Sequence, residues 1–178
     1  MVISVGALLS YPQVIDIAKD NGGEIVVPTG ALLGLDAVQA AAQGNIHSIR
    51  MVTRKPPAGL ASAPYLREKG INLEGLSEPL QVFEGTAREA IRGFPANVNV
   101  AVALSLAGIG PDQTRIEIWA DPTIDRNRHT ITVDGDSARF EMSINNIPTE
   151  ENPATGKITA LSIVAALKKM SSSLRIGT

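Results

Sequence analysis

The sequence is poor in several residue types, and each shortage excludes a class of protein. Its 178 residues include no cysteine, which excludes a disulfide scaffold, a thiolate nucleophile and a cysteine-ligated metal. Only 3% of the residues are aromatic, so aliphatic side chains must fill the core. A net charge of −2, without any cluster of Lys or Arg, gives no electrostatic signature of nucleic-acid binding. Because no apolar run reaches the roughly 18 residues of a membrane span, we expect a soluble cytoplasmic protein without a membrane partner.

Three functional motifs are absent as well. There is no Gly-x-Gly-x-x-Gly, so these residues carry no dinucleotide pyrophosphate loop of that type. There is no Gly-x-Ser-x-Gly elbow, which argues against a serine hydrolase. The two histidines, His47 and His129, lie too far apart to give a metal-ligand spacing, and we expect no metal. His47, in an alternating segment, is predicted to lie at the surface.

What is present is typical of a globular protein with alternating helices and strands. Hydrophobic residues make up 44% and charged residues 19%, and the length suits one domain or a small pair. The predicted elements of the first part are a strand at 2–9, a helix at 12–20 closed by Asn21-Gly22-Gly23, a strand at 24–28, a largely buried helix at 31–43 and a strand at 45–53. This alternation predicts parallel βαβ units.

The second part of the chain has a different pattern: consecutive segments in which apolar and polar residues alternate, as in strands. A lid or connection at 58–79 contains a short helix at 65–69. The elements predicted after it are helices at 86–92 and 97–107, strands at 114–120, 129–133 and 138–145, and a closing helix at 158–170. Asp134-Gly135 is a strong hairpin signal. We predict an α/β fold: a mixed sheet packed on helices, backed by the apolar helix at 97–107, with an N-terminal βαβ unit.

The loop that joins two of these strands, residues 121–129, collects groups that exchange protons or bind anions. His129 is the candidate proton donor, because histidine alone has an ordinary pKa near neutrality. Asn127 falls on the same side if the segment is extended, and could orient the ring. The alternative is an edge histidine bonded to the backbone.

Three further positions are candidates for ligand binding. Arg54 and Lys55 end a predicted strand, where open α/β sheets place ligands, and they could neutralise a substrate carboxylate; the alternative is a solvated pair. Gly30 follows a strand and begins a helix, so its backbone N–H could bind a phosphate or carboxamide oxygen, although many such turns bind nothing. Asn97 is a good helix N-cap. Asn99 would be an unsatisfied buried amide unless a ligand or a neighbouring loop bonds to it.

Several blocks of sequence together resemble the L-aspartate dehydrogenase family. They lie at 27–37 (Val-Pro-Thr-Gly-Ala-Leu-Leu-Gly-Leu-Asp-Ala), 53–57 (Thr-Arg-Lys-Pro-Pro), 83–90 (Phe-Glu-Gly-Thr-Ala-Arg-Glu-Ala), 94–101 (Phe-Pro-Ala-Asn-Val-Asn-Val-Ala), 120–122 (Ala-Asp-Pro), 127–129 (Asn-Arg-His) and 152–153 (Asn-Pro). The blocks run in order over nearly the whole chain, which makes them far more specific than any single motif. The family's Pro-Ser-Gly is Pro-Thr-Gly here, which keeps the hydroxyl at Thr29.

The resemblance implies oxidation of L-aspartate with NAD or NADP to an imine, followed by release of oxaloacetate and ammonia, a step of NAD biosynthesis. The family's catalytic histidine falls on His129, and its cofactor-contacting alanine and asparagine fall on Ala31 and Asn99. The fold implied is a C-terminal domain like that of glyceraldehyde-3-phosphate dehydrogenase. As our own hypothesis we add Arg54 and Lys55 near the substrate carboxylates.

The resemblance also implies a division of the chain and a departure from the family. Residues 1–44 correspond to the end of a Rossmann domain, and residues 45–178 to a substrate-binding and dimerisation domain. The closing helix at 158–170 would pack back on the Rossmann part. In the family a complete nucleotide-binding domain precedes this segment, so we expect a truncated form that binds free NAD poorly, and a homodimer. The alternatives are a non-catalytic remnant or dimerisation module, and a related amino-acid or hydroxy-acid dehydrogenase.

Overall fold

A five-stranded mixed sheet lies at the centre of the protein. The computed structural model describes residues 1–95, 99–150 and 155–177. The strands are β1 (Ile46–Lys55), β2 (Leu80–Thr86), β3 (Arg115–Ala120), β4 (Arg128–Gly135) and β5 (Arg139–Asn145). Their order in the sheet is β2-β3-β1-β4-β5, with β1 parallel to β3 and every other pair antiparallel. The predicted α/β fold with a mixed sheet is confirmed.

Seven helices accompany the sheet in the described residues. They are α1 (Ala7–Ser10), α2 (Gln13–Asp20), α3 (Leu35–Ala41), α4 (Pro64–Lys69), α5 (Ala87–Gly93), α6 (Asn99–Ala107) and α7 (Lys157–Ser171), with a short 3-10 turn at Pro57–Gly59. A single hydrophobic core joins one face of the sheet to α3 and α6, through buried residues such as Met51, Ile131, Val38 and Leu104. Side chains alternate along each strand, so β1 turns Val52 to the opposite face, which we call the open sheet face. On β4 the open sheet face includes Thr130 and Thr132.

Local signals in the sequence explain why several elements begin and end where they do. Thr86 closes β2 and caps α5: its hydroxyl accepts a hydrogen bond from the backbone N–H of Glu89, whose carboxylate accepts one from the N–H of Thr86. Gly22 lies just beyond α2 with φ +64, the left-handed conformation that favours glycine. The hairpin between β4 and β5 forms at Asp134-Gly135, as predicted.

The helix α7 carries apolar side chains on its exposed side. Ile158, Leu161, Val164, Leu167 and Met170 form what we call the outer stripe of α7; Leu161 is 64% exposed. In the ranges that the structure describes, no helix combines the length and the apolar character needed to cross a membrane.

The N-terminal region differs from the prediction. Residues 2–9 and 24–28 do not form strands, and α1 begins within the first of these segments. One hydrogen bond joins them, from the N–H of Val2 to the carbonyl of Val26 at 2.9 Å. A strand requires a ladder of such bonds, and this pair does not extend into one. The βαβ unit predicted here is therefore not formed.

Two helical predictions also need correction. The helix predicted at 31–43 is limited to α3, because Gly34 adopts φ +67 and interrupts the helix on its N-terminal side. It is not largely buried: Leu35, Val38 and Ala41 face the core while Asp36 and the other outward positions are exposed. The strand β2 was not predicted at all. The N-cap proposed at Asn97 and the block at 152–153 lie outside the described residues.

Candidate active site

A cavity of about 150 Å³ opens at one end of the sheet, between strands and irregular segments. Its walls come from the end of β1, the start of β4, residues 28–31, the start of α6 and the start of α7. Seven candidates from the sequence line it: Thr29, Gly30, Ala31, Lys55, Asn99, Asn127 and His129. These residues are distant in the chain, so the fold alone brings them together.

The register of the sheet determines which side chains reach the cavity. Thr53 on β1 pairs with His129 on β4, and Lys55 lies two residues further along the same face of β1. Because successive side chains of a strand point to opposite faces, Thr53 and Lys55 share one side and Arg54 takes the other. Lys55 and His129 line the cavity, and Thr53 lies behind His129; all three are buried, with Thr53 and His129 each 3% exposed and Lys55 5% exposed.

The imidazole of His129 is held by one hydrogen bond and remains neutral. Its Nδ1 lies 3.0 Å from the hydroxyl oxygen of Thr53. Burial, and secondarily the nearby charge of Lys55, lower the pKa of His129 from 6.5 to about 3. At neutral pH the ring therefore carries one proton and offers one unprotonated nitrogen.

The ammonium of Lys55 is the positive charge of the cavity. Burial lowers the pKa of Lys55 from 10.5 to about 8. The amine is charged at neutral pH and becomes neutral in mildly alkaline solution. A buried ammonium beside a neutral imidazole is an arrangement that attracts an anionic ligand and can exchange protons with it.

Arg54 lies outside this cavity, on the open sheet face. Its guanidinium donates a hydrogen bond to Asp121 at 3.1 Å and lies 4.7 Å from the centre of the Trp119 ring. Burial opposes ionisation of Asp121, but hydrogen bonds from Thr123 and from Arg54 outweigh it and hold the pKa of that carboxyl below its usual range. The structure thus separates the Arg54-Lys55 pair: Lys55 reaches the cavity, and Arg54 stabilises the loop after β3.

Asn146 is a cavity residue that the sequence did not indicate. It is 3% exposed, and its backbone N–H donates to the carbonyl of Asn127 at 2.8 Å. Its side-chain amide donates to the carbonyl of Ala31 at 3.1 Å. Within the described ranges its Oδ1 is the buried side-chain atom without a hydrogen-bond partner. Asn146 therefore fixes two of the predicted site residues, and a polar residue after a strand gives no signal for that role.

The turn at Thr29-Gly30 and the start of α6 complete the walls. The N–H of Gly30 donates to the hydroxyl of Ser162 on α7 at 3.1 Å, and Gly30 adopts φ +65. Asn99 is exposed rather than buried, and its Oδ1 accepts a hydrogen bond from the N–H of Gly6 at 3.1 Å. Of the two partners considered for Asn99, the neighbouring loop supplies the hydrogen bond, and the residue lines the cavity.

The charged residues around the start of β4 have partners of their own and do not line the cavity. Arg126 pairs with Asp125 at 2.6 Å, and Arg128 donates to Asn145 at 2.7 Å. His47 is exposed on β1, as predicted. Among the residues that the structure describes, no group of three or more His, Cys, Asp and Glu side chains could hold a metal ion.

Comparison with known proteins identifies the family. The family model described as "Aspartate dehydrogenase, C-terminal" matches residues 36–170. The chain belongs to the aspartate dehydrogenase family. It is 61% identical over 178 residues to L-aspartate dehydrogenase of Bradyrhizobium diazoefficiens, covering 100% of this chain and 63% of that protein. It is 59% identical to L-aspartate dehydrogenase 3 of Bordetella bronchiseptica, covering 100% of this chain and 65% of that protein.

The fold agrees with a solved member of the aspartate dehydrogenase family. The crystal structure of aspartate dehydrogenase from Thermotoga maritima is similar with a TM-score of 0.79 and 27% identity, covering 99% of this chain and 67% of that one. The chain thus spans between 63% and 67% of the length of these relatives.

Proposed function

We propose that the protein acts in the oxidation of L-aspartate to iminoaspartate, which water converts to oxaloacetate and ammonia, with NAD or NADP as cofactor. The observation that supports this most directly is the meeting of His129 and Lys55 in one cavity that Ala31 and Asn99 also line. Relatives named L-aspartate dehydrogenase match every part of the chain.

Recognition of aspartate is assigned to the ammonium of Lys55. The substrate carries two carboxylates, and a buried positive charge without competing water attracts one of them strongly. Thr29 and Asn127 line the same cavity and supply a hydroxyl and an amide that can complete the carboxylate's hydrogen bonds. Arg54, on the other side of the sheet, is left out of this assignment.

His129 is assigned the proton transfers after the imine has formed. A neutral imidazole can take a proton from water as the oxygen bonds to the imine carbon. The same proton can then be returned to the nitrogen, and as the carbon–nitrogen bond breaks and ammonia leaves, the hydroxyl proton passes to the ring and the carbonyl of oxaloacetate forms. Because burial keeps the ring neutral, its unprotonated nitrogen is available to the attacking water at neutral pH.

The cofactor would supply a hydride acceptor for the Cα–H bond of aspartate. Asn99 fits the nicotinamide end of the cofactor. Its side-chain Oδ1 already accepts a hydrogen bond from the N–H of Gly6, so its side-chain nitrogen would donate to a ribose hydroxyl or carboxamide oxygen. Ala31 lines the wall beside it, held by Asn146. The sequence holds no glycine-rich pyrophosphate loop, and weak binding of free NAD by these 178 residues stays a prediction.

An activity assay with two matched histidine variants tests this proposal. The full-length gene product should reduce NAD or NADP when L-aspartate is added, and His129→Ala should lower turnover by roughly 100- to 10,000-fold, the contribution of a positioned acid–base group. His47→Ala, which changes the exposed histidine on β1, is the control and should keep full turnover. Full turnover in His129→Ala would show that the histidine is not the acid–base group. Faster turnover with another amino acid or a hydroxy acid would replace aspartate as the substrate.

We infer further that the protein is a homodimer built through the open sheet face. Val52, Thr130 and Thr132 lie there, together with Trp119, and all are half-buried rather than covered. Exposed apolar groups gathered on one surface favour an interaction site, and most soluble oligomers are built from copies of one chain.

The division of the chain also remains a proposal. We infer that residues 1–44 belong with a nucleotide-binding part like that of the longer relatives, and that the outer stripe of α7 contacts it. Residues from both sides of that boundary share one hydrophobic core, which keeps the cavity walls in place.

A further inference from the structure

We propose that Thr53 is the positioning residue of His129: its hydroxyl fixes the imidazole in the tautomer that presents an unprotonated Nε2 to the cavity. The effect of Thr53 on turnover rests on the proposed function. Its effect on the tautomer of His129 does not.

The geometry of the pair leaves the ring little freedom. Thr53 and His129 are register partners on the two adjacent central strands, β1 and β4, and their side chains meet at 3.0 Å on the buried face of the sheet. Each is 3% exposed. Threonine is branched at Cβ and therefore stiff at χ1. The hydroxyl is thus a fixed partner for Nδ1, on a strand that is itself paired on both sides.

The position of Lys55 selects which nitrogen carries the proton. A neutral imidazole has one N–H and one lone pair, on opposite sides of the ring. With the proton on Nδ1, the ring donates to the Thr53 oxygen and turns the Nε2 lone pair toward the cavity that holds the Lys55 ammonium. The other tautomer would turn an N–H toward that positive charge. The Thr53 hydroxyl can accept from Nδ1–H as well as donate to it, so the hydrogen bond holds this tautomer in place and the charge selects it.

The choice of a hydroxyl rather than a carboxylate has a chemical consequence. A carboxylate behind the ring would stabilise the imidazolium. The neutral hydroxyl of Thr53 orients the ring without doing so, and burial keeps the pKa of His129 at about 3. A proton taken by Nε2 is then passed on readily, which suits a group that must accept a proton from water and release it to ammonia.

NMR of the imidazole nitrogens tests the tautomer directly. The chain has two histidines, and exposed His47 serves as the internal reference. We expect His129 of the unaltered chain to show one tautomer, with Nδ1 protonated. Thr53→Ser keeps the hydroxyl and should keep that spectrum, whereas the nearly isosteric Thr53→Val should give a mixture. A proton on Nε2 in the unaltered chain, or an unchanged spectrum in Thr53→Val, would overturn the proposal.

Kinetics of the full-length gene product supply the second measurement. For Thr53→Val we expect kcat to fall on the order of tenfold, a part of what an acid–base group contributes, with the KM for aspartate unchanged. Thr53→Ser should restore kcat. Thr114→Val removes a hydroxyl that donates to the carbonyl of Gly110, away from the cavity, and should change neither tautomer nor kcat.

The two measurements separate the two proposals. If the tautomers behave as expected but no form oxidises aspartate, the positioning role stands and the proposed function fails. If the unaltered enzyme is active and Thr53→Val keeps both its tautomer and its kcat, the positioning role fails and the proposed function stands.

Discussion

The His129 side chain is almost completely enclosed, at 3% exposed. Its folded pKa of about 3 lies well below the ordinary 6.5. Between these values the unfolded chain binds a proton that the folded chain excludes. Stability therefore rises as pH rises through this window and is lost on acidification, because protonation favours the unfolded state.

The acid sensitivity of folding should accordingly depend on this one ring. Between pH 6.5 and about 3, His129 should contribute a loss of unfolding free energy of up to about 1.4 kcal/mol per pH unit. Urea unfolding at successive pH values would measure the slope for the unaltered chain and for His129→Gln. The difference between the two curves should grow steadily below pH 6.5; parallel curves would mean that the ring is protonated in the folded state.

At the scale of single residues, the sequence predicted the members of the site better than their surroundings. His129 and Lys55 could be singled out because a loop after a strand and a strand end are where ligands bind. The burial of Asn99 was predicted incorrectly, since an apolar helix gave no hint that its first residue would be exposed beside Gly6. Thr53 could have been found, because strand alternation places it on the same face as Lys55. Asn146 could not, since its contacts with Ala31 and Asn127 arise from the tertiary fold.

Among the elements, α3 and β5 approach each other closely at Gly34. Gly34 adopts φ +67, and a Cβ there would overlap the sulfur of Met142 on β5. Gly75 has a similar φ of +70, but no atom lies within 4 Å of where its Cβ would be. The two glycines therefore differ in steric surroundings and not in backbone conformation.

Alanine variants at these two glycines separate the cost of backbone strain from the cost of overpacking. Gly75→Ala should lower the unfolding free energy by about 1 kcal/mol, the penalty of a left-handed alanine. Gly34→Ala should cost about 1–3 kcal/mol more, because Met142 must be displaced. Denaturant unfolding measures both, and Met142→Ala in the Gly34→Ala background should recover part of the excess. Equal costs at the two positions would show that Met142 moves aside freely.

At the scale of elements, a strand was predicted correctly where the segment finds a hydrogen-bonded neighbour in the sheet. Alternating segments that find ladder partners, such as those of β3, β4 and β5, were predicted correctly. Residues 2–9 and 24–28 have equally apolar sequences, yet they make a single mutual hydrogen bond from Val2 to Val26. Whether an apolar run becomes a strand depends on the neighbour it meets, which its own sequence does not encode.

For the whole molecule, the open sheet face and the outer stripe of α7 are the surfaces to which we assign partners. They lie on different elements and can be altered separately. The homodimer proposal assigns self-association to the first and contact with a nucleotide-binding part to the second.

Light scattering on the purified protein would distinguish these assignments. We expect a dimer for the unaltered chain and a monomer for Thr132→Arg, since a new charge on the open sheet face would meet its own copy across the two-fold axis. Leu161→Arg, on the outer stripe of α7, is the matched control and should remain dimeric. A monomeric unaltered chain, or loss of the dimer only in Leu161→Arg, would contradict the assignment.

The two walls of the cavity are held with different strength. Thr53, Lys55 and His129 lie on β1 and β4, each of which is paired on both sides. The facing segment is held by isolated contacts, including the bond from Gly30 to Ser162. Local opening is easiest where contacts are few. On warming, the cavity should therefore lose its ligands while the imidazole is still in place. Thermal inactivation should begin as a loss of binding affinity. The catalytic step itself should be lost only when the sheet unfolds.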